Sequence, residues 1–201
     1  MGAQKRMDCH HNQITLYTAQ SDEVIQHLLQ EGYHYVKLEY IARKYEEVFA
    51  VFLQFYSWYT ENAQRILPKP KLAESAVWAF YDLKYLDRCP GCQIIKLSVP
   101  LQHAVFFRMS DWNKILNRQY IGESEEEEAK FAEKLTHYGI GYTGDVYTTP
   151  FYPHLKKELL NSWKKLFRYD QQIKGTGTSP FPDMQAGLWY IDRQWLQEIL
   201  I

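Results

Sequence analysis

Three short runs most constrain what this chain can fold into. AVWAFY (76–81), QIIKLSVP (93–100) and AVFFR (104–108) are rich in β-branched and aromatic residues and read as strands. ITLYTAQ (14–20) near the start and MQAGLWYI (184–191) near the end read the same way. Helical patterns lie between them without strict alternation. SDEVIQHLLQEG sets Val24, Ile25, Leu28 and Leu29 on one face, with Ser21 as N-cap and Gly32 as the stop. Across 41–66, Ile41, Tyr45, Phe52, Tyr56, Tyr59 and Ala63 recur at steps of three or four until PKPK ends the pattern. SDWNKILNRQYI starts a helix from a Ser110 cap, and HLKKELLNSWKKLF turns Leu155, Leu159, Trp163 and Leu166 inward. ESEEEEAKFAEKL is a charged helix or a solvated run, 138–153 and 172–183 are loops, and RQWLQEIL is a short closing helix. The mixture predicts an α+β fold.

A chain of 201 residues buries about 70% of its unfolded surface, enough for one core. One domain over 1–201 is therefore expected, with 1–12 as an amino-terminal arm. The 46% hydrophobic content excludes a disordered chain. A net charge of -1 gives no bulk attraction to nucleic acid and leaves only a local basic patch for that purpose. No apolar run reaches the length of a membrane span, and MGAQKRMDCHHNQ has no signal-peptide core. Three cysteines, an odd number, make no disulfide framework. A cytoplasmic protein with reduced thiols and no membrane contact is the expectation.

Candidate chemistry is sparse. RCPGCQ (88–93) places Cys89 and Cys92 around Pro-Gly. A redox pair needs a following helix, and here a strand follows. A zinc site would have to recruit Cys9 and a neighbouring histidine to Cys89 and Cys92. Pro-Gly suits the centre of a type II turn, so a plain hairpin tip is the favoured reading and no metal site is assigned. The seven histidines show no metal-ligand spacing, and no serine sits in a nucleophile elbow. GTGTSP lacks the strand before and the helix after that a phosphate cradle requires. Lys156, Lys157, Lys164, Lys165 and Arg168 share one helical segment, 156–168, the best local basic patch for a nucleic-acid or protein target.

Five motifs, in order along nearly the whole chain, carry a resemblance. LYTAQ, VWAFY, the segment holding Trp112, Ile115, Leu116, Asn117 and Tyr120, SWKKLF and MQAGLWYI are similar to L-W-T-x-Q, I-W-A-W-Y, W-x-x-V-L-N-x-x-Y, S-W-x-x-I-F and I-Q-A-T-x-W-E-L. These are hallmarks of a bacterial and phage family catalogued as a domain of unknown function. The opening strand and helix also resemble ADP-ribosyltransferase-like folds, which implies a single α+β domain with a split, mostly antiparallel sheet flanked by helices. That resemblance implies a NAD cleft: Thr18 and Gln185 as catalytic residues, and Tyr17, Gln20, Trp78 and Tyr81 around the cofactor.

The chain departs from both patterns. Thr18 stands where such folds carry His or Arg, Tyr190 where the family has Glu, and Gly187 where it has Thr. Ser110 and Asp111 fall two positions late. The acid of such a transferase stabilises an oxocarbenium-like transition state by its charge. A tyrosine with a pKa near 10 cannot supply that charge at neutral pH. Alternation along 185–191 sets Gln185, Gly187 and Trp189 on one face, and Leu188 and Tyr190 on the other. Aromatics at these spacings also suit a plain core. Two functions remain as expectations. One is a NAD-binding ADP-ribosyltransferase-like protein modifying nucleic acid or protein in bacterial or phage conflict. The other is a non-catalytic member that binds protein or nucleic acid.

Overall fold

The computed structural model describes residues 12–39, 49–86 and 90–200. Its centre is a six-stranded sheet in the order β5-β6-β3-β1-β4-β8, in which every pair is antiparallel. The strands are β1 (Gln13–Ser21), β3 (Val77–Phe80), β4 (Cys92–Pro100), β5 (Ala104–Arg108), β6 (Met184–Leu188) and β8 (Leu196–Leu200). A separate two-stranded ladder joins β2 (Tyr33–His34) to β7 (Ile191–Asp192). The helices are α1 (Asp22–Glu31), α2 (Phe49–Ala63), α3 (Met109–Leu116), α4 (Glu125–His137), α5 (Thr143–Thr148), α6 (Pro153–Trp163) and α7 (Asp170–Thr176). The expected α+β class and antiparallel sheet are present. Among the described residues no helix is long and apolar enough to cross a membrane.

β5 and β6 are buried on both faces, whereas β1 and β4 alternate buried residues with more exposed ones. One face carries Ile14, Leu16, Val77, Ala79, Ile95, Leu97, Val99, Phe106, Ala186 and Leu188 into a core closed by Ile25 and Leu28 of α1 and Ile173 of α7. The opposite face of β5 carries Val105 and Phe107 into a second core, with Phe55 and Tyr59 of α2, Trp112 and Ile115 of α3, and Leu155, Leu159 and Trp163 of α6. One register row crosses all six strands: Phe107, Gln185, Phe80, Tyr17, Lys96, Glu198. Paired residues in an antiparallel ladder share a face. The row therefore passes from a closed aromatic core to a charged, more open end.

Local signals held where local chemistry decides. Ser21 Oγ accepts from Val24 N at 3.4 Å, and Gly32 ends α1 at φ 85°, a conformation that glycine adopts without a Cβ penalty. Other expectations need correction. RQWLQEIL is a single 3-10 turn, Arg193–Trp195, followed by β8, because the outer edge of β4 offers hydrogen bonds that the segment fills as a strand. The stretches taken as loops hold α5 and α7. Ser110 lies inside α3 and does not cap it: Asp183, distant in sequence, takes Met109 N on its carbonyl at 2.8 Å and Ser110 N on its carboxylate at 3.3 Å. ESEEEEAKFAEKL is a helix, α4, capped by Ser124. Cys92 is disulfide-bonded, a departure from the reduced thiol expected there. Cys9 and Cys89, needed for the zinc reading, lie outside the described residues, as do 41–48 of the long helix.

Candidate functional site

The six residues assigned to a NAD cleft divide between the two faces of the sheet. Tyr17 pairs with Phe80 and Phe80 with Gln185, so Tyr17, Trp78 and Gln185 share one face. Thr18 follows Tyr17 and points the other way, with Gln20. Gln20 Nε2 donates to Thr18 Oγ1 at 2.8 Å, and Thr18 is 2% exposed. Tyr81 packs against the core on the Thr18 side, with its amide donating to Met184 O. Thr18 and Gln185 therefore project to opposite sides of one sheet.

The motif aromatics converge instead on packing. Trp78 meets the rings of Tyr59 at 4.7 Å, Trp112 at 5.3 Å and Tyr56 at 5.6 Å. Trp163 stacks on Tyr147 and donates its indole N–H to Gln119 O at 2.8 Å. Trp189 donates to Leu67 O at 2.8 Å. Tyr59 sits at the centre, and its hydroxyl lies where a Cβ on residue 187 would be, 2.0 Å away. Gly187 is thus the space Tyr59 occupies. Gln185 is 4% exposed, and its Oε1 and the Tyr59 hydroxyl are buried without hydrogen-bond partners. Tyr190, in place of the family's acid, sits 3.1 Å from His103 Nδ1 through its hydroxyl and packs on Trp195. Burial raises its pKa, so it remains a neutral phenol.

Buried charges are likewise committed to the scaffold. Asp170, 1% exposed, takes Phe106 N at 2.9 Å on the outer edge of β5 and pairs with Lys174 at 2.8 Å. Asp183 pairs with Arg108 at 3.3 Å while capping α3. Asp111 pairs with Arg168 at 3.1 Å, and Arg168 also donates to Gly122 O at 2.8 Å. Burial pushes the Asp111 pKa up, and Arg168 opposes that shift.

Unspent groups gather elsewhere. An open groove of about 350 Å³ is lined by Tyr120, Glu127, His154, Lys157, Glu158, Asn161, Ser162 and Lys165. Its acids are occupied. Glu127 accepts from Lys165 at 2.6 Å, Tyr120 at 2.8 Å and Glu123 N at 2.6 Å, which lowers its pKa to about 2. Glu158 takes Lys134 with both oxygens, at 2.9 and 2.8 Å. Asn161 Oδ1 accepts from Lys164 at 3.1 Å. Among the described residues, that leaves Lys157 and the His154 ring nitrogens without polar partners, together with Asn161 Nδ2. His154 packs at 5.4 Å from Tyr138, which continues to Tyr152 at 5.6 Å. Phe151, just before α6, is 81% exposed.

The basic 156–168 segment is thus only partly available. Lys165 and Arg168 are held internally, Lys156 lies over the Tyr147 ring at 5.1 Å, and Lys157 stays free. Of the groove's other walls, Glu127 and Glu158 escaped the sequence reading, and Tyr120 entered it only as part of a family motif. One signal pointed there: PHLKKELL puts His154, Lys156 and Lys157 near the positive end of a helix with no acid in its first turn, against the usual preference.

Among known proteins, one family model matches, described as a domain of unknown function (DUF3841), over residues 15–197. That agrees with the ordered motifs. No curated protein matches the chain, and no solved structure does.

Proposed function

The chain belongs to the DUF3841 family, and we propose that it is a non-catalytic module that binds a nucleic acid or a protein. The observation that carries this reading is the register of the sheet. A transferase of the expected kind needs the Thr18 and Gln185 positions on one nicotinamide. Here they face opposite cores, and Trp78 is enclosed by Tyr56, Tyr59 and Trp112. Tyr190 in place of the family acid supports the same reading, since a neutral phenol lends no negative charge to an oxocarbenium-like centre. On the helical side, the groove beside α6 offers Lys157, His154 and Asn161 Nδ2, which no protein group takes up among the described residues.

Calorimetric titration with NAD, joined to a label-transfer assay from NAD to protein and to nucleic acid, tests the proposal. The expected result is no saturable heat and no transferred label. Saturable NAD binding that both Thr18→Val and Gln185→Ala abolish would overturn it and restore the transferase reading.

A further inference from the structure

The groove beside α6 has a more definite chemistry than the module reading requires. We propose that it is a binding site for single-stranded nucleic acid. A backbone phosphate is taken by Lys157, His154 and Asn161 Nδ2, and a base is received on Tyr138, whose ring lies 5.4 Å from that of His154. The assignment rests on the module reading above and adds the ligand class and the residues.

The argument is one of elimination among the groove's own groups. Glu127 and Glu158 are tied to Lys165, Tyr120, Glu123 N and Lys134. Each of these carboxylates is matched by a cation of the protein. Ser162 donates to Leu159 O and accepts from Ile121 N, so it too is used. The polar groups left over, Lys157 Nζ, Asn161 Nδ2 and the His154 imidazole, supply hydrogen-bond donors, and one carries a fixed positive charge. Free donors around a concave surface fit an anion, and oxygen-rich phosphate is the anion such a set suits best.

The aromatic rim selects the kind of phosphate ligand. Tyr138, packed on the groove's His154, is 43% exposed and presents a ring face to solvent. Each base presents a flat π-face when it is not stacked in a duplex, and aromatic side chains receive it with little regard to sequence. The groove volume of about 350 Å³ lies at the low end of small-ligand pockets, near 300–1,000 Å³, which suits one nucleotide unit at a time. The chain's net charge of -1 leaves affinity to these local groups.

The test is fluorescence anisotropy with fluorescein-labelled single-stranded DNA and RNA of about 12 nucleotides, within the site sizes of known single-strand-binding proteins. Wild type should bind saturably at low salt. Affinity should fall by about twofold to threefold between 50 and 200 mM salt, the loss for the one phosphate engaged. Lys157→Glu should weaken binding at least about tenfold through charge reversal at a contacted phosphate, and His154→Ala should weaken it by a smaller factor. Lys71→Glu, an exposed reversal outside the groove, should leave it unchanged. Lys157 is exposed and unpaired, so its variant should keep the wild-type melting curve by circular dichroism; if it does not, Lys157→Gln replaces it.

No saturable binding below about 100 μM, the weak end of non-specific affinity, overturns the assignment. So does equal binding by wild type and the groove variants, or preference for a labelled acidic peptide over the oligonucleotides. Any of these with a negative NAD titration removes the groove assignment and leaves the module reading. Saturable NAD binding with label transfer removes the module reading itself.

Discussion

Tyr59 carries a hydroxyl that its surroundings do not use. The ring is 1% exposed, the hydroxyl has no partner, and burial pushes its pKa well up. A buried polar group left unpaired costs about 1–3 kcal/mol, so Tyr59→Phe should leave stability unchanged or raise it by about 1 kcal/mol. Urea denaturation reads this directly, and a clear loss would mean that the hydroxyl has a partner. His34 makes a pH-dependent prediction. Burial first, and neighbouring His27 second, push its pKa down to about 4 from 6.5. Between those values the unfolded chain binds more protons than the folded one. The contribution to stability is complete above about pH 6.5 and is lost as pH falls toward 4. Melting temperature followed over that range should drop, and His34→Leu should flatten part of the drop. At this scale the sequence was informative about direction. Alternation correctly sent Gln185, Gly187 and Trp189 to one core and Leu188 to the other. It could not reveal that Tyr59, distant in the chain, fills the space above Gly187.

Elements were legible where their signals are local. The Ser21 cap, the Gly32 stop and the strand runs at 77–80 and 104–108 are written in neighbouring residues. They failed where a distant partner decides. RQWLQEIL has apolar residues at both helical and strand spacings, and pairing with β4 settles it as a strand. α7 was read as loop because KGTGT weakens helix propensity, yet Ile173 is anchored in the first core and Asp170 holds the free edge of β5. That contact protects an edge amide that the sheet itself cannot satisfy. Asp170→Ala should leave Phe106 N buried and unpaired and should cost about 1–3 kcal/mol. Denaturation measures the cost, and hydrogen exchange should show the Phe106 amide losing protection while Leu97, paired on both sides within β4, keeps its own. Unchanged exchange at Phe106 would show that the edge does not depend on Asp170.

Across the whole molecule, residues that resemble a family signature and residues with free chemistry occupy different places. Trp78, Trp112, Trp163 and Trp189 join α2, α3 and α6 to the sheet in one core, so the motifs specify the scaffold. Trp112→Ala should therefore cost about 3–5 kcal/mol, as large aromatic truncations in cores do, while Lys157→Glu should cost close to nothing. Paired denaturation curves check both. The fold class was legible because strand and helix periodicities are strong. The candidate site was not, because its groups come together only when α4 packs beside α6, and because pairing decides which charges stay free. An NMR titration of the nitrogen-15-labelled chain tests the central claim most directly, first with NAD and then with a single-stranded oligonucleotide. The account predicts shifts at His154, Lys157, the Asn161 side-chain amide and Tyr138 on adding oligonucleotide, and none at the Gln185 side-chain amide or at Thr18 with either ligand. Concerted shifts of Thr18 and Gln185 on adding NAD, with the groove silent to oligonucleotide, would contradict it.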